Sequence, residues 1–274
     1  MSLATVEFDY LRTLVKDHTA IILDAGKEYL AETRLAPLLG EHNCTSVQEL
    51  LSLLRRQSFN GLHRKVLDAM TNNETWFFRD VNCFAALTGT ILPEMMKRRA
   101  QERKLAIWSA ASSSGQEAYS IAMALREQFN LPGWSFSILG TDFCTTILER
   151  ARSGLYRQME VNRGLPTKLL THYFKQQGLH WQLKPEILSM VKLQFLNLAE
   201  PWSDAIPPLD IIFLRNVLIY FDVETRKAIL ARVRRVLRPD GFLFLGCAET
   251  TLNLDAGFQT VQAGNYICYK LKDR

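Results

Sequence analysis

The 274-residue chain is 47% hydrophobic, ordinary for a globular protein with room for one large domain and a smaller one, and it should fold without metal or disulfide. Its 33 basic and 28 acidic residues leave a charge of +5, which describes a mixed, solvated surface and does not by itself indicate an acidic partner. The sequence shows no signal-peptide order, no apolar run near the ~18 residues of a membrane span, no zinc-ligand spacing and no internal repeat, so a cytoplasmic protein without a structural metal is expected. Cys44, Cys83, Cys144, Cys247 and Cys268 form no C-x-x-C pair and fit core positions in a reducing compartment.

The first ~75 residues read as helices only. Phe8, Leu11, Leu14 and Val15 make one stripe, and Leu30, Leu35, Leu38 and Leu39 another, which Pro37 should kink or end. Ser46 and Glu49 form a capping box before Val47, Leu50, Leu51, Leu53 and Leu54. A fourth helix sets Leu62, Val66 and Met70 on one side and His63, Arg64 and Lys65 on another, giving either a basic docking face or an ordinary solvated one. The segment Thr71-Asn72-Asn73-Glu74-Thr75-Trp76-Phe77-Phe78-Arg79-Asp80 is unlike a plain linker. Asn73 and Thr75 offer neutral hydrogen-bonding groups, and Arg79 offers a fork that matches a carboxylate. The alternative makes its aromatics a plug between domains and Arg79 a surface charge.

From Leu105 the pattern changes to strand, tight loop and helix. Leu105 to Trp108 is a continuous apolar run, Ala122, Leu125 and Phe129 recur at helical spacing, and Ser109 to Gly115 holds nothing larger than serine. Such a loop lets a ligand approach the backbone at the first crossover of an α/β sheet. G-x-G-x-x-G and the phosphate-binding G-x-x-x-x-G-K-[ST] are both absent. The second strand, Trp134 to Leu139, leads into Gly140-Thr141-Asp142, where an acid can accept hydrogen bonds from both hydroxyls of a ribose. Glu117 suits a ligand amino group. A ribose and an ammonium without a phosphate describe S-adenosylmethionine, although an acidic helix start and a turn aspartate explain either residue taken singly.

Ile147 to Tyr156 reads as helix, and the polar stretch of about 157–190, broken by Gly164, Pro166, Gly178 and Pro185, as an inserted subdomain. The sheet resumes with Val191 to Phe195, then Asn197-Leu198, then Leu209 to Leu214 as the fourth strand, whose carboxyl end carries Arg215, Asn216 and, shortly after, Tyr220. An Arg-rich helix from Thr225 to Leu237 closes at Arg238-Pro239-Asp240-Gly241, a turn signal. Phe242 to Gly246 makes the fifth strand, and Phe258 to Val261 with Tyr266 to Lys270 a terminal hairpin. The expected fold class is therefore α/β, a Rossmann-like methyltransferase sheet with a small inserted β subdomain, preceded by an all-α amino-terminal domain. Its expected divisions are 1–75, a linking segment 76–92 that contributes to the cofactor site, and a catalytic domain 93–274.

TNNETWFFRD, IWSAASSSGQEAYSIAM, GTDF, ARSGLY, LRNVLIYFD and LRPDGFLFLG, in this order and spacing, resemble the chemotaxis-receptor methyltransferases called CheR, which are protein-glutamate O-methyltransferases. The resemblance covers nearly the whole chain. It implies that Asn73, Thr75, Arg79, Glu117, Asp142, Asn197, Leu198, Arg215 and Asn216 contact S-adenosylmethionine, that Arg79 and Tyr220 flank its reactive methyl as catalytic residues, and that S-adenosylhomocysteine is the product. It further implies a monomer that methylates glutamates on the cytoplasmic helices of membrane chemoreceptors in sensory adaptation, docking through Arg64 and Lys65. Two departures stand out. The family's S-T-G-E-E-P-Y is here Ser113-Ser114-Gly115-Gln116-Glu117-Ala118-Tyr119, so Gln116 carries no charge. The stretch Phe174 to Gln182 lacks the glycine-containing extension of members that tether to a receptor's terminal peptide, so no dependence on tethering is expected. Asn216-Val217-Leu218-Ile219 has no Asn-Pro-Pro-Tyr turn, and no aromatic-interleaved basic tract accompanies the net charge, which together argue against a nucleobase or other nucleic-acid substrate. A non-catalytic module that senses the cofactor or docks on receptors is the other rival, and retention of Arg79 and Tyr220 argues against it.

Overall fold

The computed structural model describes residues 3–128, 132–202 and 206–272, so Phe129 of the expected helical stripe lies outside the described residues. The chain divides into two compact units, one of residues 1–72 with Tyr220–Thr225 and one of Asn73–Ile219 with residues 226–274.

The first unit holds α1 (Thr5–Thr19), α2 (Glu28–Glu41), α3 (Val47–Arg55) and α4 (Gly61–Met70). Phe8, Leu11 and Val15 of α1, Leu35 of α2, Leu50, Leu51 and Leu54 of α3, and Val66 and Leu67 of α4 are all buried, as their helical spacing requires. Pro37 does not end α2, which runs on to Glu41; the proline removes one backbone donor and the packed face carries the helix through. Ser46 caps α3 by accepting from the Glu49 amide at 3.2 Å, whereas the Glu49 carboxylate turns to the Thr45 amide and hydroxyl, which is half a capping box. His63 departs from expectation: it is buried, shares the Asn60 cap of α4, and its pKa is lowered by burial. Only Arg64 and Lys65 remain of the expected basic trio.

The second unit is built on α5 (Val81–Ala86), a π-helical turn Leu87–Ile91 leading into α6 (Leu92–Arg98), β1 (Lys104–Ala110), α7 (Gln116–Gln128), β2 (Ser135–Asp142) and α8 (Thr145–Ser153). It continues with β3 (Leu155–Arg157), α9 (Gln158–Val161), α10 (Thr167–Tyr173), β4 (Phe174–Gln177), β5 (His180–Leu183), α11 (Pro185–Leu188), β6 (Val191–Phe195) and β7 (Leu209–Leu214). Helix α12 (Val223–Val236), β8 (Leu237–Leu245), β9 (Phe258–Ala263) and β10 (Tyr266–Leu271) complete the chain. The main sheet has the order β6-β2-β1-β7-β8-β10-β9. Its first five strands are parallel, and β10 runs antiparallel to both β8 and β9. This is the expected α/β class.

Two boundaries differ from the sequence reading. Helix α8 stops at Gly154, whose backbone is left-handed at φ 59°, and Tyr156 enters β3 of a small antiparallel sheet ordered β3-β5-β4. The Arg238-Pro239-Asp240-Gly241 signal does not close a turn before a new strand. β8 already pairs with β7 at Leu237, and its register shifts before resuming at Phe242, so the proline sits in a bulge. Gly241 is needed there, because a Cβ would come within 2.7 Å of the Asp210 carbonyl.

The core lies between sheet and helices. Phe84, Phe213, Phe244 and Tyr266 stack in series with centroids 4.6–6.4 Å apart, and α7 is buried from Gln116 to Leu125. At the amino end of the sheet, Arg99 donates through Nε to Asp210 Oδ1 at 2.8 Å and through Nη1 and Nη2 to Asp240 at 2.8 and 2.6 Å. Asp210 Oδ2 accepts from the Ala106 amide at 2.8 Å, which ties α6, β1, β7 and β8 together. Asp210 and Arg99 are almost fully buried, and Arg238 lies 3.6 Å from the same carboxylate. Asp210→Ala leaves two guanidinia facing an empty position and should cost about 3–5 kcal/mol of stability, read as a lower urea midpoint; an unchanged midpoint would show the cluster to be dispensable.

Candidate active site

The sheet rule places a ligand outside the carboxyl ends of the parallel strands where strand order reverses, here between β1 and β7. The loops there depart most from ordinary backbone. Ala111 and Ser113 after β1, Asn216 after β7, and Phe78 and Asp80 before α5 all have φ between 50° and 70°, a region costly for residues with a side chain and frequent at binding sites. Gly115, at φ 90°, opens α7; a Cβ there would meet the Tyr119 ring at 2.7 Å.

Glu117 and Arg215 meet directly. Arg215 Nη1 donates to Glu117 Oε2 at 2.9 Å, and Ser109 Oγ donates to Oε1 at 2.8 Å. Arg215 Nη2 donates to the Arg79 carbonyl at 2.9 Å and lies 3.7 Å from Asp80 Oδ2. Burial alone would lower the Arg215 pKa, but the charge of Glu117 reverses the shift to upward, so the guanidinium stays charged while 2% exposed. Its Nε, buried, has no hydrogen-bond partner among the described residues, and neither has the buried Ser112 Oγ.

Asp142 closes β2 as expected. Its Oδ2 accepts from the Ser113 amide at 2.8 Å and its Oδ1 from the Cys144 amide at 2.9 Å, and its carbonyl accepts from Leu196 N at 3.0 Å. The segment from Asn73 reaches the same loop, since the Asn73 carbonyl accepts from Ser113 Oγ at 2.7 Å. Phe77 of that segment is fully buried, 4.9 Å from Tyr156 and 5.6 Å from Phe174 between centroids, so one of the three aromatics is a plug and holds the polar residues around it in place. Thr75 is half-buried on that segment. Asn197 accepts from Ala199 N and donates to Glu200; Leu198 is buried, and its carbonyl takes Arg232 Nη1 at 2.9 Å. Tyr220, Arg64 and Lys65 belong to the other compact unit. There the Tyr220 hydroxyl accepts from Asn72 Nδ2 at 2.6 Å, Lys65 pairs with Glu41 at 2.6 Å, and the Arg64 guanidinium lies 5.9 Å from the Phe59 ring centre.

Sequence reasoning missed Glu249. Its carboxylate accepts from the amides of Asn216, Val217, Leu218 and Gly246 at 2.7–2.9 Å, joining the loops after β7 and β8 and holding Asn216 in its left-handed backbone. A Cβ at Gly246 would strike Asn216 and this carboxylate at 2.6 and 2.7 Å. The only local signal was an acid three residues past the end of the fifth strand.

A doubly wound parallel sheet with an acid ending β2, an acid opening the first crossover helix and no phosphate-binding loop defines the class of S-adenosylmethionine-dependent methyltransferases. Residues 6–71 match the family described as CheR methyltransferase, all-alpha domain, and residues 73–267 match CheR methyltransferase, SAM binding domain. The chain is 39% identical to chemotaxis protein methyltransferase 1 of Pseudomonas aeruginosa, across 99% of this chain and 100% of that protein. It is 37% identical to chemotaxis protein methyltransferase Cher2 of Pseudomonas putida, with the same coverage, and 33% identical to the chemotaxis protein methyltransferase of Escherichia coli, across 96% and 92%. The chain belongs to the CheR methyltransferase family, and its cofactor is S-adenosylmethionine.

The residues present fit that cofactor. Its amino-acid end carries one charge of each sign, and the Glu117–Arg215 pair offers the complement of both, with a buried Arg215 N–H to spare. Glu117→Gln keeps the shape and removes the charge. It should weaken S-adenosylhomocysteine binding by about tenfold or more, the scale of one charge-assisted hydrogen bond, measured by titration calorimetry. Unaltered affinity would take Glu117 out of the site.

Proposed function

We propose that this methyltransferase forms methyl esters on glutamate side chains of membrane chemoreceptors, acting as a monomer on their cytoplasmic helices. The observation that carries the reading is Arg79. Its guanidinium is half-buried, lies 4.3 Å from the Trp76 ring centre and donates from Nη1 to the Glu74 carbonyl at 2.9 Å. Among the described residues it has no carboxylate partner, and its backbone carbonyl is held by Arg215 of the buried ion pair. A positive fork so held, without a counter-ion, suits an incoming carboxylate.

Bound S-adenosylmethionine would supply an electrophilic sulfonium methyl for a carboxylate oxygen, the new O–C bond forming as the S–C bonding pair leaves with sulfur, to give the methyl ester and S-adenosylhomocysteine. Glutamate, with a pKa of ~4.3, is ionised at neutral pH and needs no general base, so these side chains bind, align and exclude water. Glu117 and Arg215 hold the amino-acid end and Asp142 the ribose. Asn73, Thr75, Asn197, Leu198 and Asn216 complete the contacts. Arg79 orients the acceptor, and Tyr220, fixed by Asn72, is the second catalytic group, through its hydroxyl or ring. Arg64 and Lys65 of α4 dock on the acidic receptor helices; the Lys65–Glu41 pair is half exposed, so an acidic partner can compete for Lys65. No helix among the described residues is long and apolar enough to cross a membrane.

Incubation with methyl-tritiated cofactor and chemoreceptor-containing membranes should place base-labile label on receptor bands and none on added RNA. Arg79→Ala should lower that transfer by at least about a hundredfold, the scale of lost alignment in a transfer reaction, while Tm stays unchanged. Near-normal transfer by Arg79→Ala would remove Arg79 from the reaction.

β4 and β5 are joined by Gly178-Leu179 alone, so the hairpin has no extension to receive a tethering peptide. Receptors truncated of their terminal peptide should be methylated as fast as intact ones, and micromolar binding of such a peptide to the isolated enzyme would contradict this.

A further inference from the structure

A carboxylate that could quench Arg79 stands next to it. Glu74 receives Arg79 Nη1 on its backbone carbonyl at 2.9 Å. Its side chain is taken by another residue: Arg163 Nη2 donates to Glu74 Oε1 at 2.9 Å. Arg163 comes from the turn after α9, far along the chain, and its guanidinium lies 3.8 Å from the Trp76 ring centre, the ring that Arg79 approaches at 4.3 Å. The contact is built in by the backbone. Gly164 has φ 80°, and any Cβ there would come within 2.1 Å of the Phe77 carbonyl and 2.9 Å of the Trp76 ring, so glycine lets the Arg163 turn lie against the segment that carries Glu74 and Arg79.

We infer that Arg163 is a positioning residue for methyl transfer: it sequesters the Glu74 carboxylate, with Trp76 as the shared platform, and so keeps the Arg79 guanidinium without a counter-ion for the acceptor. This rests on the reading of Arg79 as the acceptor-orienting group. Two cations at one indole repel each other, and Glu74 offsets that repulsion by neutralising Arg163 while the ring attracts both.

The inference predicts a rescue that loss of packing cannot give. Arg163→Gln should lower kcat/KM for receptor methylation roughly two- to fivefold, the scale on which an exposed ion pair shifts an equilibrium, with KM for S-adenosylmethionine and Tm unchanged. Glu74→Gln alone should be close to wild type, and Arg163→Gln with Glu74→Gln should regain most of the loss. The assay is tritiated methyl transfer to chemoreceptor-containing membranes. A double variant as slow as Arg163→Gln alone, or a full-speed Arg163→Gln, overturns the positioning role. Arg79→Ala measured alongside separates the two failures: if it is active, the reading of Arg79 is what falls, and if it is inactive while the rescue fails, only the role of Arg163 falls.

Discussion

The cleft end of the catalytic unit depends on the ion pair between Arg215 and Glu117. It joins the end of β7 to the first turn of α7, where the helix dipole favours the carboxylate, and through Arg215 Nη2 it fastens the backbone of the segment that carries Arg79. Both partners are largely out of water, and moving two charges into such a place costs nearly as much as their attraction returns. Stability is therefore a poor reason for the pair. What it supplies is a fixed distance between three pieces of chain remote in sequence, held by a group that cannot lose its proton.

Much of the fold was legible because each element satisfied one local rule. The parallel strands are short apolar runs, the helices carry stripes, and the acids at the first two loops follow directly from strand ends. Failures came where a local rule was outweighed. Pro37 predicted a break in a helix whose packed face overrides one lost bond, and His63 was placed by helical spacing on a polar side although the Asn60 cap draws it inward. Pro239 predicted a turn where β8 has a bulge. β3, with three residues, is too short for alternation to be told from helical spacing.

The site was less legible, for a physical reason. Glu117 and Asp142 could be placed from neighbouring sequence alone. Asn73 and Thr75 could be read only as neutral hydrogen-bonding groups and Asn216 only as a residue at the end of the fourth strand, while Asn197 and Leu198 were tied to the cofactor only through the resemblance. Glu249 was invisible because its partners are backbone amides, three of them 31 to 33 residues away, and amides have no residue type. Arg163 was invisible because its meaning lies in what it takes away from Arg79, 84 positions earlier in the numbering, and no spacing rule records a competition.

The two ends of β7 show how a structural cluster differs from a binding one. Apart from Asp210, the strand from Leu209 to Leu214 is apolar and buried, and an arginine–carboxylate cluster sits at each end. At the amino end every nitrogen of the Arg99 guanidinium meets a carboxylate oxygen, although the buried Arg238 Nε, 3.6 Å from Asp210, has no hydrogen-bond partner among the described residues. At the carboxyl end Arg215 keeps a buried Nε without a partner among the described residues, beside Asn216 in strained backbone and an arginine, Arg79, that meets no carboxylate among them. An unmet buried donor costs about 1–3 kcal/mol, and strained backbone adds to that cost. Each end therefore holds one buried arginine Nε without a partner among the described residues; what sets the Arg215 end apart is the left-handed backbone of Asn216 beside it and its place at the carboxyl ends of the parallel strands, where the sheet rule puts a ligand.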